Sequence, residues 1–196
     1  QDFAEARRLF GLAAAQGHAQ AQAKLGSMHL DGEGGPQDYA EARRLFGLAA
    51  VQGDARAQCS LGRMHYAGHG GPEDCAEARR LFGLAAVQGH ADAQFSLGGM
   101  HFCGHGGPQD LPEARRLYEL AAAQGDTKAQ FCLGNMHYAS HGGPQDCAEA
   151  RRLYGLTAAQ GHAKAQFNLG RMHNLGQGGP EDLAEARRLF GLAAAQ

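Results

Sequence analysis

The sequence predicts an all-α superhelical solenoid of 36-residue helix-turn-helix repeats, and three observations carry that prediction. First, Pro36, Pro72, Pro108, Pro144 and Pro180 recur at a step of 36, and so do Asp2, Asp38, Asp74, Asp110, Asp146 and Asp182. The Arg-Arg pairs that begin at Arg7, Arg43, Arg79, Arg115, Arg151 and Arg187 keep the same step. A fixed period of this size marks an array of small units that bury their apolar faces only by stacking. Second, apolar residues inside each period follow helical spacing. Third, each helical stretch is bounded by cap and turn residues. The expected organisation is a single array with units 2–37, 38–73, 74–109, 110–145 and 146–181 and a terminal helix 182–196.

The second unit justifies its elements in order. Asp38 is the N-cap of a first helix, A, and Glu41 its acid at N3, a capping-box-like start. Ala42, Leu45, Phe46, Ala49 and Ala50 line one face, and Gly53 suits the left-handed residue after the helix, so helix A runs from about 39 to 52. Asp54 caps a second helix, B, where other units have His18, His90, Asp126 and His162. Ala57, Leu61, Met64 and His65 form its inner face, and Gly68, Gly70, Gly71 and Pro72 end it near Ala67. Gly62 sits mid-helix at a cost of roughly 1 kcal/mol against Ala, and its recurrence as Gly26, Gly98, Gly134 and Gly170 points to a tight crossing. Glu119 replaces the equivalent of Gly47, so that position faces water.

Composition narrows the function classes. A formal charge of −2 offers polyanions no net attraction, so nucleic acid is not an expected partner. No apolar run approaches the ~20 residues of a membrane helix, and the first residues carry no secretory leader pattern. Cys59, Cys75, Cys103, Cys132 and Cys147 occupy unrelated unit positions, which favours free thiols and a reducing intracellular compartment.

The pattern Ala55, Ala57, Gln58, Leu61, Gly62, Met64, then Gly68, Gly70, Gly71, Pro72, Asp74, then Ala78, Phe82, Ala85, Ala86, Gln88, Gly89 resembles the Sel-1-like repeat. That family is an α/α solenoid of the tetratricopeptide-repeat class. The resemblance implies a right-handed superhelix with helix A on its concave side, and work as a protein–protein adaptor. One departure is consistent: the family's usual Tyr is replaced by His29, His65, His101, His137 and His173.

Candidate sites follow. The pairs His65/His69, His101/His105 and His137/His141 are four residues apart, a spacing that can chelate zinc on one helical face. Glycines at 68 and 104 end the helix before the second His, which favours structural histidines and no metal or other cofactor. A His-dependent metal-binding or pH-responsive binding module is the alternative reading. The Gly-rich loops lack the Lys-Ser/Thr of phosphate loops, and no nucleophile motif or acid–base pair assembles, so no catalytic residue is expected.

Surface chemistry is the remaining signal. Arg8, Arg44, Arg80, Arg116, Arg152 and Arg188 should align as a ladder on the concave side, with Glu41, Glu77, Glu113 and Glu149 one turn earlier. Such guanidinium forks suit an acidic or C-terminal carboxylate of a bound peptide, unless the acids neutralise them. Positions of the type Gln20, Lys24 and Ser27 on helix B vary freely between units and mark an outward stripe. Tyr66, Phe102 and Tyr138 form either an exposed aromatic patch for a partner or packing under the loop between units. The terminal helix lacks a following B helix, so Leu189 and Phe190 should be partly uncovered, which marks 182–196 as a docking place or a point of continuation. The expected role is a non-catalytic protein or peptide scaffold, or a structural subunit of a larger assembly.

Overall fold

The computed structural model describes residues 2–195, and every regular element among them is an α-helix. The chain divides into two compact units, 1–108 and 109–196. The first holds α1 (Phe3–Ala15), α2 (Ala19–Asp31), α3 (Tyr39–Val51), α4 (Ala55–Ala67), α5 (Cys75–Val87) and α6 (Ala91–Cys103). The second holds α7 (Leu111–Ala123), α8 (Thr127–Tyr138), α9 (Cys147–Ala159), α10 (Ala163–Asn174) and α11 (Leu183–Ala194). Odd-numbered helices are of type A and even-numbered ones of type B, each within a residue or so of its expected bounds.

The caps explain why the helices start where they do. Asp38 Oδ1 accepts from the Glu41 amide, and the same bond repeats at each odd helix. The box itself is only half built. The Glu41 carboxylate turns to Arg44, and the Asp38 amide donates to the His29 carbonyl at 2.8 Å. At even helices Asp54, His90, Asp126 and His162 cap through their side chains, whereas His18 does not.

The expected inner faces are buried. Ala42, Phe46, Ala49 and Ala50 close on Ala57, Leu61 and Met64, whereas Leu45 packs back on Ala14, Ala21 and Leu25 of the preceding hairpin. Within each unit, α2, α4 and α10 pack more extensively on the odd helix after them than on the one before, and α8 does the same. The mid-helix glycine is the reason: a Cβ at Gly62 would meet the Phe82 ring at 2.9 Å, and at Gly170 the Phe190 ring at 2.9 Å. This asymmetry corrects one expectation about the terminal helix. Leu189 is 2% exposed, because α10 already covers it, and only Phe190 is left half-exposed.

A row of buried amides runs through the interior. Gln58 Nε2 donates to the Ala50 carbonyl and its Oε1 accepts from Gln88 Nε2 at 2.8 Å; Gln22 does the same with Ala14 and Gln52. In the second unit Thr127 breaks this pattern. It replaces the Ala of other units and donates to Gln160 Oε1, while Gln130 Oε1 is left buried with no partner. Thr127→Ala is therefore expected to free Gln160 for Gln130 and raise stability by about 1 kcal/mol, because an unsatisfied buried acceptor costs about that much or more. Urea denaturation midpoints check this; an unchanged or lower midpoint would count against it.

Candidate functional site

Each Arg-Arg pair splits into two roles. The first Arg has no acid three or four residues before it, since Ala40 and Tyr39 stand there for Arg43. In the first five pairs it reaches instead across the hairpin, whereas Arg187 of α11 has no such partner among the described residues. Arg43 Nη2 donates to His65 Nδ1 at 2.8 Å, and Nη1 donates to the carbonyls of His69 and Pro72. Arg7, Arg79, Arg115 and Arg151 do likewise with His29, His101, His137 and His173 and with the carbonyls of Pro36, Pro108, Pro144 and Pro180. The guanidinium lies over the second loop glycine, where a Cβ at Gly71 would strike Arg43. The first loop glycine, Gly70, has φ +71° and a Cβ there would collide with the Tyr39 carbonyl. The Gly-Gly-Pro loop is thus a seat for an arginine.

Because the guanidinium always donates, the histidine must accept and stays neutral. Burial and then the neighbouring Arg push His29, His65, His137 and His173 below the usual imidazole value. The metal-chelating alternative meets this geometry directly. His65 is engaged with Arg43, while His69 stacks on Tyr39 at 4.7 Å. His101 and His137 are engaged by Arg79 and Arg115, and His105 meets the Tyr66 hydroxyl at 3.0 Å. His141 lies exposed in the turn after α8. Among the described residues no group of three or more His, Cys, Asp or Glu is placed to hold a metal.

The second Arg of each pair is already paired within its own helix. Arg44 forks onto Glu41 at 2.7 and 2.8 Å, and Arg80, Arg116, Arg152 and Arg188 fork onto Glu77, Glu113, Glu149 and Glu185. Arg8 pairs with Glu5 in the same way. These forks hold Glu41, Glu77 and Glu149 below the usual carboxylate range. A ligand carboxylate at this ladder would have to displace a glutamate. The aromatic positions lean on the following loop: Tyr66 meets His105, and the Tyr138 hydroxyl donates to Gln177 Oε1 at 3.2 Å. Phe102 is half-buried. The cysteines are free, and burial pushes the Cys59 thiol up to about 11, which keeps it unreactive.

The even helices carry what the odd ones lack. All six basic residues outside the Arg-Arg pairs stand on their outward stripe: Lys24, Arg56 and Arg63, and in the second unit Lys128, Lys164 and Arg171. Of these only Lys24 has an ion pair among the described residues, a 3.9 Å contact with Glu33. Lys24, Arg56, Gln20, Ser27 and Ser60 line a groove of about 560 Å³ between α2 and α4. Sequence reasoning marked this stripe as variable but not as basic. The signal was the position of the few lysines.

Comparison with known proteins places this architecture. Sel1 repeat models match residues 1–18, 19–54, 55–90, 91–126, 127–162 and 163–196. After the first, short match, each begins on an even helix. A protective antigen of uropathogenic Escherichia coli strains, which displays an SLR fold, aligns with TM-score 0.95 and 36% identity over 100% of this chain and 42% of that one. The chain therefore spans well under half of that relative's length. A Sel1 repeat protein from Oxalobacter formigenes aligns with TM-score 0.86 and 27% identity over 100% of this chain and 83% of that one. A sel1 repeat protein from Klebsiella pneumoniae subsp. pneumoniae shares the fold, with TM-score 0.61 and 22% identity over 96% of this chain and 92% of that one. No curated protein sequence matches. Repeat models along the whole chain establish that it belongs to the Sel1 repeat family, an all-helical solenoid family of protein-interaction scaffolds.

Proposed function

We propose that this chain is a non-catalytic scaffold that binds a protein partner through the outward stripe of its even helices. The observation that carries this reading is the separation of charge. Apart from Arg187 of α11, the odd-helix arginines are consumed by their own glutamates or by the histidine and loop carbonyls, whereas Arg56, Arg63, Lys128, Lys164 and Arg171 have no ion pair among the described residues. The same stripe is where otherwise near-identical repeats differ, as expected of a surface that distinguishes partners. An acidic protein segment is the complementary partner.

The test is affinity capture from extract of the source organism with the native chain and two variants. Arg56→Glu/Arg63→Glu/Lys128→Glu/Lys164→Glu is expected to lose the captured partner at least tenfold. Arg44→Gln/Arg80→Gln/Arg116→Gln is expected to retain it, with Gln chosen because Glu would set a like charge beside Glu41. Equal recovery by the stripe variant would overturn the assignment and return attention to the Arg44-type ladder.

A further inference from the structure

One unit departs from the repeat in a way that builds a depression of its own. Between α8 and α10, above α9, lies a recess of about 200 Å³ lined by Asn135, Tyr138, Tyr154, Asn168, Arg171 and Gln177. Tyr154 stands, like Tyr118 of α7, where α3, α5 and α11 have Phe46, Phe82 and Phe190. Asn135 stands where other units have Ser27, Arg63 and Gly99, and Asn168 where they have Lys24, Ser60, Ser96 and Cys132.

The hydrogen bonds orient this set. The Tyr154 hydroxyl donates to Asn135 Oδ1 at 2.7 Å, and Asn168 Nδ2 approaches the same oxygen at 3.5 Å. The Tyr138 hydroxyl donates to Gln177 Oε1. Two of the three amide oxygens in the lining are thus satisfied from within; only that of Asn168 stays open. The Nδ2 of Asn135, the Nε2 of Gln177 and the Arg171 guanidinium are left as donors without an acceptor among the described residues. No carboxylate lines the recess. Converging donors around one cation suit a carboxylate.

The recess continues into an apolar groove of about 620 Å³ lined by Phe131, Phe167 and Phe190, with Lys164 at its rim and Asn168 shared between the two. Phe167 is 49% exposed. The linings of the two depressions are centred about five residues apart along α10 and about six along α8, hence about 7–9 Å at 1.5 Å per residue. That is roughly two to three residues of extended peptide.

We propose that these adjoining depressions form a peptide site that takes an Asp or Glu side chain at Arg171, Asn135 and Gln177 and an aromatic or aliphatic side chain about two to three residues away between Phe131, Phe167 and Phe190. Tyr154 acts as a positioning residue, since its hydroxyl holds the Asn135 amide with its donors outward. The inference rests on the scaffold reading and narrows it to a ligand class.

The test is selection of a phage-displayed random decapeptide library on the full chain, followed by titration of a synthetic selected peptide. Selected peptides are expected to share an acid about two to three residues from an aromatic or aliphatic residue. Affinity is expected to fall at least tenfold on Arg171→Ala, on Phe167→Ser, or on replacing the peptide acid by its amide. Tyr154→Phe restores the residue of other units, so the fold survives, and is expected to lower affinity several-fold. Arg44→Gln is expected to leave it unchanged. Absence of enrichment, enrichment without acids, or insensitivity to Arg171→Ala would overturn the site. Self-association of the chain abolished by Phe167→Ser would also overturn it and give the groove to a second copy. Peptides that bind but map to Arg56 and Arg63 would sink this site and leave the scaffold reading standing.

Discussion

Gly70→Ala is expected to destabilise the chain by about 3 kcal/mol or more. Two costs combine. A left-handed backbone at a non-glycine residue costs of order 1–3 kcal/mol. In addition, the new Cβ collides with the Tyr39 carbonyl at the first turn of α3, a backbone atom that moves only if the helix moves. Any such shift pulls Arg43 from His65 and from the His69 and Pro72 carbonyls, so the loop and the hairpin it closes are lost together. Gly34, Gly106, Gly142 and Gly178 make the same approach to Phe3, Cys75, Leu111 and Cys147, so each is expected to behave alike. Gly47→Ala is the control. Its Cβ meets nothing within 4 Å on a helix surface, and helix propensity alone should raise stability by about 1 kcal/mol. Urea unfolding of both variants reads the contrast. A Gly70→Ala midpoint indistinguishable from the native one would refute the account of the loop.

The second large effect is a loss of stability on mild acidification. His65 faces Arg43 from α3, Glu77 and Arg80 from α5, and Asp74 before α5, and desolvation and Arg43 together hold it below its ordinary value of 6.5. His29, His137 and His173 are lowered for the same leading reason. A histidine with a lowered value in the folded chain binds its proton more readily when unfolded. Stability from these sites is therefore complete above pH 6.5 and is lost as pH falls below 6.5 toward the folded value. The glutamates of the Arg forks are lowered from 4.5, so their contribution falls only at more acid pH. Thermal melts at pH 7.5, 6.5 and 5.5 are expected to show a falling midpoint. His65→Gln/His137→Gln/His173→Gln, which keeps an acceptor for each Arg but cannot titrate, should flatten the fall. A midpoint that holds or rises on acidification would contradict neutral histidines in the arginine seats.

Much of the fold was legible because repetition averages out local ambiguity. Ala42, Leu45 and Phe46 announce one face in every unit, and Gly62 announces a close crossing that the Phe82 ring supplies. The roles of Arg43 and Arg44 were harder to separate, since both flank the buried stripe. The available clue was local: Glu41 stands three residues before Arg44 and Ala40 three before Arg43, so only Arg43 needs a distant partner. Its partner stands 22 residues away in His65, a contact that helical periodicity does not encode. Glu119 shows the point from the other side, because in that unit Arg115 gains an acid at i+4, at 3.4 Å. The recess around Tyr154 was invisible as spacing, because its parts lie on three helices and each is a single, bland substitution.

Hydrogen exchange of the chain with and without its captured partner tests the functional claim most directly. New protection is expected on α2, α4, α8 and α10, around Lys24, Arg56, Lys128, Lys164 and Arg171, while α3 and α5 around Arg44 and Arg80 exchange as before. Protection confined to those odd helices, with the even-helix stripe unchanged, would contradict the claim.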